Sequence, residues 1–226
     1  MTNRILGHFA FLQFTQAFWS LSQQERLAFS GDFRQDLLAF SPHEHVYQVF
    51  PLRADCDILI WSSITVEDEA SVETFFTGFA RLLGRTRQYI QPVNIWWGFT
   101  RPSDYARGKS AQEIDPFDDQ RKRCLTVYPF TKTVGWYQLS RDARQGMMNE
   151  HIRIGHQYPQ IKQLLLYSTG LQDQEFVVVY EMDSFAEFST LVTDLRSSDA
   201  RAYTERDTPI YAAIYHPAQE TLGLFG

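Results

Sequence analysis

Asp55-Cys56-Asp57-Ile58-Leu59-Ile60-Trp61 is matched further along the chain by Asp173-Gln174-Glu175-Phe176-Val177-Val178-Val179. In each stretch a polar turn feeds an apolar extended run, and the two begin 173 − 55 = 118 residues apart. A second pair keeps that offset: Trp19-Ser20-Leu21-Ser22 and Trp136-Tyr137-Gln138-Leu139-Ser140 end on serines 140 − 22 = 118 residues apart. Two local matches at one spacing argue for an internal repeat.

The elements around these stretches fall in the same order twice. In the first half a strand over His8 to Phe14 leads to a helix that opens on a capping box, Ser22 with Glu25 three residues on, and runs toward Leu38. Val46 to Phe50 and Ile58 to Ile64 read as a hairpin through Arg53-Ala54-Asp55. Val72, Phe75, Phe76, Phe79, Leu82 and Leu83 keep a helical period, and Val93 to Phe99 closes the half as a strand. The second half gives a strand over Leu125 to Phe130, a helix capped by Ser140, strands over Ile161 to Tyr167 and Glu175 to Met182, a helix over Phe185 to Arg196, and a last strand over Ile210 to Tyr215. A repeated β-α-β-β-α-β order is the ferredoxin-like split motif, and two copies can join their sheets into one β-barrel with the helices outside. The expected class is therefore α+β, with halves at residues 1–100 and 124–226 and a linker, poor in periodicity, at 101–123.

Composition narrows the function classes. With 226 residues, 44% of them apolar, the chain can bury a sizeable core, which argues against disorder. A net charge of −6 argues against a nucleic-acid surface, and the one dense basic run, Arg121-Lys122-Arg123, reads as a solvated loop before a strand. Cys56 and Cys124 form no CxxC pair, which fits a reducing compartment. No leader pattern opens the chain and no apolar run reaches the length of a membrane span, so the expected location is the cytoplasm.

Met147, His151, Ile154 and Tyr158 share one face of the second-half helix, at intervals of four, three and four residues. That face is apolar apart from the imidazole. The stripe alone fits either a core histidine satisfied by a backbone carbonyl or a cofactor ligand. The repeat sharpens the choice, because 151 − 118 = 33 points to Phe33, an apolar ring in the equivalent slot. A polar ring there costs desolvation free energy unless something binds it. The other histidines, His8, His43, His45, His156 and His216, form no recognisable metal set, and the pair around Glu44 reads as exposed. A single axial imidazole suffices for haem iron, and the absence of a CxxCH pattern means any haem would lack thioether links. On the following strand Ile161, Gln163, Leu165 and Tyr167 share a face, with Gln163 its polar exception: an edge residue, or a donor over the open side of an iron. No GxSxG, HExxH, phosphate-binding loop or dinucleotide fingerprint occurs.

With Tyr128-Pro129-Phe130-Thr131-Lys132, Trp136-Tyr137, Met148-Asn149-Glu150-His151, Gly155, Tyr158 and Tyr167-Ser168-Thr169-Gly170-Leu171-Gln172-Asp173-Gln174-Glu175-Phe176, the chain resembles the chlorite dismutase family. That family includes the coproheme decarboxylases. The match is dense between residues 124 and 217, whereas the first half agrees only in the order of its elements. The resemblance implies a dimeric α+β barrel fold and a homo-oligomer, usually a pentamer, with one haem or coproheme per subunit in the second half. It makes His151 the iron ligand, with Met148 beside the cofactor and Trp136 supporting the site. Asp199, or else Glu205, would be the acid that orients the imidazole.

Gln163 falls where chlorite-splitting members carry Arg, a cation able to hold an oxyanion near the iron. A glutamine there, with a Tyr-Pro-x-x-Lys strand, resembles the coproheme decarboxylase branch. That branch implies Tyr128 as the redox-active residue, Lys132 as a propionate partner, and hydrogen peroxide as oxidant of a porphyrin that is both substrate and cofactor. One departure stands out. Decarboxylases of Gram-positive type carry an Arg-Leu-Tyr-Pro segment for propionate binding where this chain reads Ile114-Asp115-Pro116-Phe117. Arg101, Ser103 and Tyr105 become the candidate anchors, in a stretch more like the chlorite dismutase side. The alternatives are a chlorite dismutase or peroxidase-like enzyme, a haem carrier or sensor without turnover, or an oligomer with an empty pocket.

Overall fold

A computed structural model describes residues 4–41, 43–105 and 110–226; residues 106–109 of the expected linker lie outside the described residues. The first half runs β1 (Arg4–Phe14), α1 (Gln16–Trp19), α2 (Gln23–Phe40), β2 (Glu44–Gln48), β3 (Ile58–Val66), α3 (Glu69–Thr86) and β4 (Ile90–Phe99). The second runs β5 (Cys124–Lys132), α4 (Val134–Gln138), α5 (Arg141–Gly155), β6 (Lys162–Tyr167), β7 (Phe176–Met182) and α6 (Phe185–Arg196). A 3-10 turn (Asp199–Tyr203), β8 (Thr204–Arg206), β9 (Tyr211–Tyr215) and α7 (Ala218–Gly223) complete it. The repeat is real in three dimensions: α2 and α5 begin 141 − 23 = 118 residues apart, and β3 and β7 begin 176 − 58 = 118 apart.

The capping box that opens α2 forms as expected, with the Ser22 hydroxyl on the Glu25 amide and the Glu25 carboxylate returning to the Ser22 amide at 2.8 Å. Satisfying two otherwise free donors fixes where the helix starts. Asp68 and Ser71 do the same for α3, which begins three residues earlier than its apolar period predicts.

The nine strands form one sheet in the order β7-β6-β4-β1-β3-β2-β9-β5-β8, and a β5–β7 ladder brings the circuit round on itself. Its two halves meet at thin seams, β4–β6 through Phe99 and Tyr167 and β2–β9 through two residue pairs, so the sheet is no even barrel. At the first seam Gly98 lets the backbones approach: a Cβ there would lie 2.7 Å from the Tyr167 carbonyl oxygen.

Strand alternation sorts the side chains. Phe9, Phe11, Tyr47, Trp61, Trp96, Leu125, Val127, Leu164, Leu166, Val177 and Val179 point inward and make one core drawn from both halves. Outside the first half, α2 and α3 close over the sheet with Phe33, Leu37, Phe79 and Leu82 against Leu12, Ile58 and Ile60. The counterpart cluster outside the second half is smaller and holds Ile154, Ile161, Tyr180, Met182 and Leu191.

Two expectations are corrected. The basic run is not a solvated loop, because the side chain of Arg121 is 1% exposed and lies 3.3 Å from the Glu181 carboxylate, itself 2% exposed, while Lys122 pairs with Asp183 at 2.6 Å. Arg121 also donates to the carbonyls of Asp115 and Asp118 and lies over the Trp61 ring, so it pins the linker to the end of the sheet. His45, read as exposed, is buried on β2 near Trp61 and Tyr215, and burial together with the Arg121 charge holds its pKa down to about 4.

Candidate active site

Helix α5 forms because Ser140 caps it, its hydroxyl accepting from the Ala143 amide at 3.2 Å, and because Asp142 sits in the first turn, where the helix dipole favours an anion. It packs against α6 and the 3-10 turn, with Ile154 anchored in the outer cluster beside Tyr180 and Met182. His151 lies one turn before Ile154 and is largely enclosed. Burial, then the charge of Lys132, lowers its pKa to about 4, with the Glu150 carboxylate opposing. The ring is neutral at physiological pH, and neither nitrogen has a hydrogen-bond partner among the described residues. Among the described residues, no backbone carbonyl meets the ring as it would in a satisfied core histidine.

The outer face of the second-half sheet is laid out by register. Across β6, β7 and β5 it presents Gln163, Tyr180 and Thr126 in one row, then Leu165, Val178 and Tyr128, then Tyr167, Phe176 and Phe130. In the first half the equivalent face is sealed, with Phe33 1% exposed. Here Leu165 remains 40% exposed and Gln163 is exposed as well. The helix that carries His151 thus lies on the side of the sheet whose residues Leu165 and Gln163 stay exposed, the kind of apolar surface that a flat ligand covers.

Tyr128 is enclosed at the centre of that wall. Burial pushes its hydroxyl well above the ordinary range, with the neighbouring Tyr180 adding to the rise, and the Tyr180 ring stacks on it at 6.1 Å. Lys132, on the same face of β5, places its ammonium 4.0 Å from the centre of the Trp136 ring. Burial lowers its pKa to about 8, with Glu175 opposing and Arg201 adding to the fall. Glu175 is the local counter-charge, accepting from the Lys132 amide at 2.8 Å and from the Tyr137 hydroxyl.

Arg101, Ser103 and Tyr105 run along the rim of that surface. The Arg101 guanidinium pairs with Asp104 at 2.7 Å and lies 4.3 Å over the Tyr167 ring. Ser103 accepts from the Tyr105 amide, and the Tyr105 carbonyl takes the Gln145 amide of α5 at 3.0 Å. Linker residue Gln112 ties the end of α5 to this region, donating to the carbonyls of Gly155, Tyr158 and Ile161, while its own carbonyl accepts the Gln163 amide at 2.7 Å.

Register places Tyr128, Gln163 and Lys132 on one face of the second-half sheet, with Trp136 against Lys132, the Lys132 charge acting on the His151 ring, and Met148 one turn before His151 on α5. Among the described residues neither Asp199 nor Glu205 hydrogen-bonds the His151 ring. Asp199 is exposed in the 3-10 turn and gives its backbone amide to the Glu150 carboxylate at 3.2 Å, and Glu205 is exposed on β8. Sequence reasoning missed Glu150, Glu175, Tyr180 and Arg144. Alternation from Phe176 and the helical repeat back from His151 carry a signal for the last two, and none for which acid meets which base.

The family model described as Chlorite dismutase matches residues 23–215. The chain belongs to the chlorite dismutase family. Among curated relatives, the coproheme decarboxylase of Mycolicibacterium smegmatis (strain ATCC 700084 / mc(2)155) is 27% identical over 168 residues, 74% of this chain and 70% of that one. The coproheme decarboxylase of Staphylococcus carnosus (strain TM300) is 28% identical over 134 residues, so the match spans about half of each, 52% and 53%. The solved chlorite dismutase of Candidatus Nitrospira defluvii in complex with imidazole superposes with a TM-score of 0.85 at 20% identity, over 98% of this chain and 94% of that one. A mutant of that protein in complex with cyanide gives 0.84 at 20%, with the same coverage. At such identity the structures speak to the fold, which is the expected α+β one. Membership in a family of coproheme decarboxylases and chlorite dismutases supports an enzyme of haem chemistry. Among the described residues no three His, Cys, Asp or Glu side chains cluster as a metal site, and no helix is long and apolar enough to cross a membrane.

Proposed function

We propose that this family member is a haem-dependent oxidoreductase that uses hydrogen peroxide to decarboxylate two propionates of ferric coproporphyrin III, yielding haem b. The observation that carries the reading is the enclosed, unpartnered His151 imidazole over an open apolar wall bearing Tyr128 and Gln163. The residues fit the porphyrin: His151 would hold the iron, Met148 and Leu165 would line the rings, and Lys132 would meet a propionate. Bound coproporphyrin iron supplies the activation of peroxide, and the same molecule supplies the propionates.

The chain's own residues do the rest. Tyr128, held dry, gives up an electron and passes its proton toward Tyr180, then regains a hydrogen atom from a propionate side chain. Per propionate the balance is one carboxyethyl anion, one peroxide and one proton going to one vinyl, one carbon dioxide and two waters. Gln163 offers a neutral donor and acceptor over the open face, with no cation to hold an oxyanion, which favours peroxide over chlorite. Glu150 biases the His151 ring toward the more basic ligand, a part the resemblance assigned to Asp199 or Glu205. The rim residues Arg101, Ser103 and Tyr105 border the propionates. The expected assembly is a homo-oligomer of five working in the cytoplasm, which native mass measurement checks for the oligomer.

Incubating the apoprotein with ferric coproporphyrin III, adding peroxide and following the porphyrin by mass tests the reading. Two successive losses of the elements of formic acid are expected. Unchanged porphyrin contradicts the decarboxylase reading, and oxygen evolved from chlorite establishes the dismutase instead.

A further inference from the structure

Arg144 has a buried Nε that meets no hydrogen-bond acceptor. It stands seven residues before His151, hence on the same face of α5 and about 10 Å along the axis. That is roughly the span from the centre of a tetrapyrrole to the ends of its carboxyethyl side chains. The residue also sits at the end of the first turn of its helix, where a cation opposes the dipole and an anion is favoured. Around it are Tyr137, whose hydroxyl feels the Arg144 charge, and Glu175 and Tyr105, which act on the same hydroxyl. Glu175 is already engaged by the Lys132 amide and by Tyr137. A guanidinium presents five donors in a planar fork that matches a carboxylate, and a buried donor without an acceptor is costly. Local structure supplies no reason to keep that cost.

We propose that Arg144 anchors a carboxylate of the bound tetrapyrrole at the N-terminal end of α5, on the side where Tyr137, Glu175 and Lys132 lie. The inference rests on the porphyrin reading above and names the residue that stands in for the missing Arg-Leu-Tyr-Pro segment. Arg101, whose half-exposed guanidinium pairs with Asp104 and lies over the Tyr167 ring, borders the site from the rim. The anchor selects for porphyrins that carry acidic side chains and sets the in-plane rotation that brings a propionate to Tyr128.

The test compares wild type, Arg144→Gln and Arg144→Lys as apoproteins, titrated by absorbance with ferric coproporphyrin III and with ferric octaethylporphyrin, which has no carboxylates. Far-UV circular dichroism checks that each variant is folded. Arg144→Gln is expected to raise Kd for ferric coproporphyrin roughly ten- to a hundred-fold, the loss of a charge-assisted hydrogen bond, and to leave octaethylporphyrin binding unchanged. Arg144→Lys keeps the charge without the fork and falls between, so the comparison survives a poorly folded glutamine variant. An unchanged Kd for ferric coproporphyrin in either folded variant overturns the anchor while the porphyrin reading stands. Equal weakening for both porphyrins also overturns it and marks Arg144 as structural. Failure of wild type to take up either porphyrin sinks the porphyrin reading itself, and the anchor with it.

Discussion

Tyr128 and Tyr180 make the sharpest claims about single side chains. The Tyr180 ring stacks on Tyr128, and under the proposed function oxidising Tyr128 calls for the neighbouring hydroxyl to accept its proton. Tyr128→Phe is expected to bind ferric coproporphyrin with wild-type affinity and to stall before the first loss of carbon dioxide, read by mass. Tyr180→Phe keeps the oxidisable ring and removes only the acceptor. Its expected cost is about five- to ten-fold in the rate of decarboxylation, the worth of one hydrogen bond, with Kd unchanged. Full activity in Tyr128→Phe moves the redox step to another residue, and full activity in Tyr180→Phe removes Tyr180 as the proton acceptor. Much of this residue-level picture was legible before any coordinates: the spacing isolates His151, the repeat matches it with Phe33, and the motif around Tyr128 carries the family. Pairings were not legible. That Asp199 gives its amide to Glu150, or that Arg101 pairs with Asp104, depends on where helices and loops settle, and a chain's order of residues does not encode those distances directly.

At the scale of elements, α5 and the strand edge beside it border the proposed porphyrin site. Ser140 supplies the cap, and Ser140→Ala should destabilise the protein by about 1 kcal/mol in guanidinium unfolding. In the equivalent helix of the first half, Phe33 holds the position matched by His151 and is buried, and Phe33→Ala should cost roughly 3–5 kcal/mol. The β1–β3–β2 face adds a pH-dependent term. Glu44 accepts from the Ser62 hydroxyl, its other oxygen is buried without a partner, and burial raises its pKa from 4.5 to about 8. A carboxyl whose folded pKa is raised stabilises fully below its unfolded value, and that stability is lost as pH climbs through the folded one. Unfolding free energy should therefore fall between pH 4.5 and about 8. Glu44→Gln should flatten that fall, and an unchanged slope in the variant would refute the assignment. The elements themselves were well anticipated where caps and periods mark them. The 3-10 turn, β8 and α7 were not, because each is short and held by tertiary contacts rather than by its own pattern.

For the whole molecule, one repeated unit has been put to two uses. The first copy packs α2 and α3 onto its sheet with aromatic rings. The second leaves its wall half bare beneath α5, and the stretch before β5 is tied to β6 by Gln112, which accepts the Gln163 amide, and to β7 by Arg121, which pairs with Glu181. The doubled α+β architecture could be read from an offset of 118 residues. The thin seams, and the burial of a basic run that composition marked as solvated, emerge only once the sheet has closed. Removing one partner of the buried pair, as in Glu181→Gln, should cost about 3–5 kcal/mol, because a buried guanidinium is then left without its counter-charge. The central claim is that α5 presents His151 to a porphyrin iron, and titrating wild-type and His151→Ala apoprotein with ferric coproporphyrin III tests it most directly. The account predicts a five-coordinate, histidine-ligated absorbance spectrum in the wild type that is lost in the variant. The same spectrum in both proteins would contradict it.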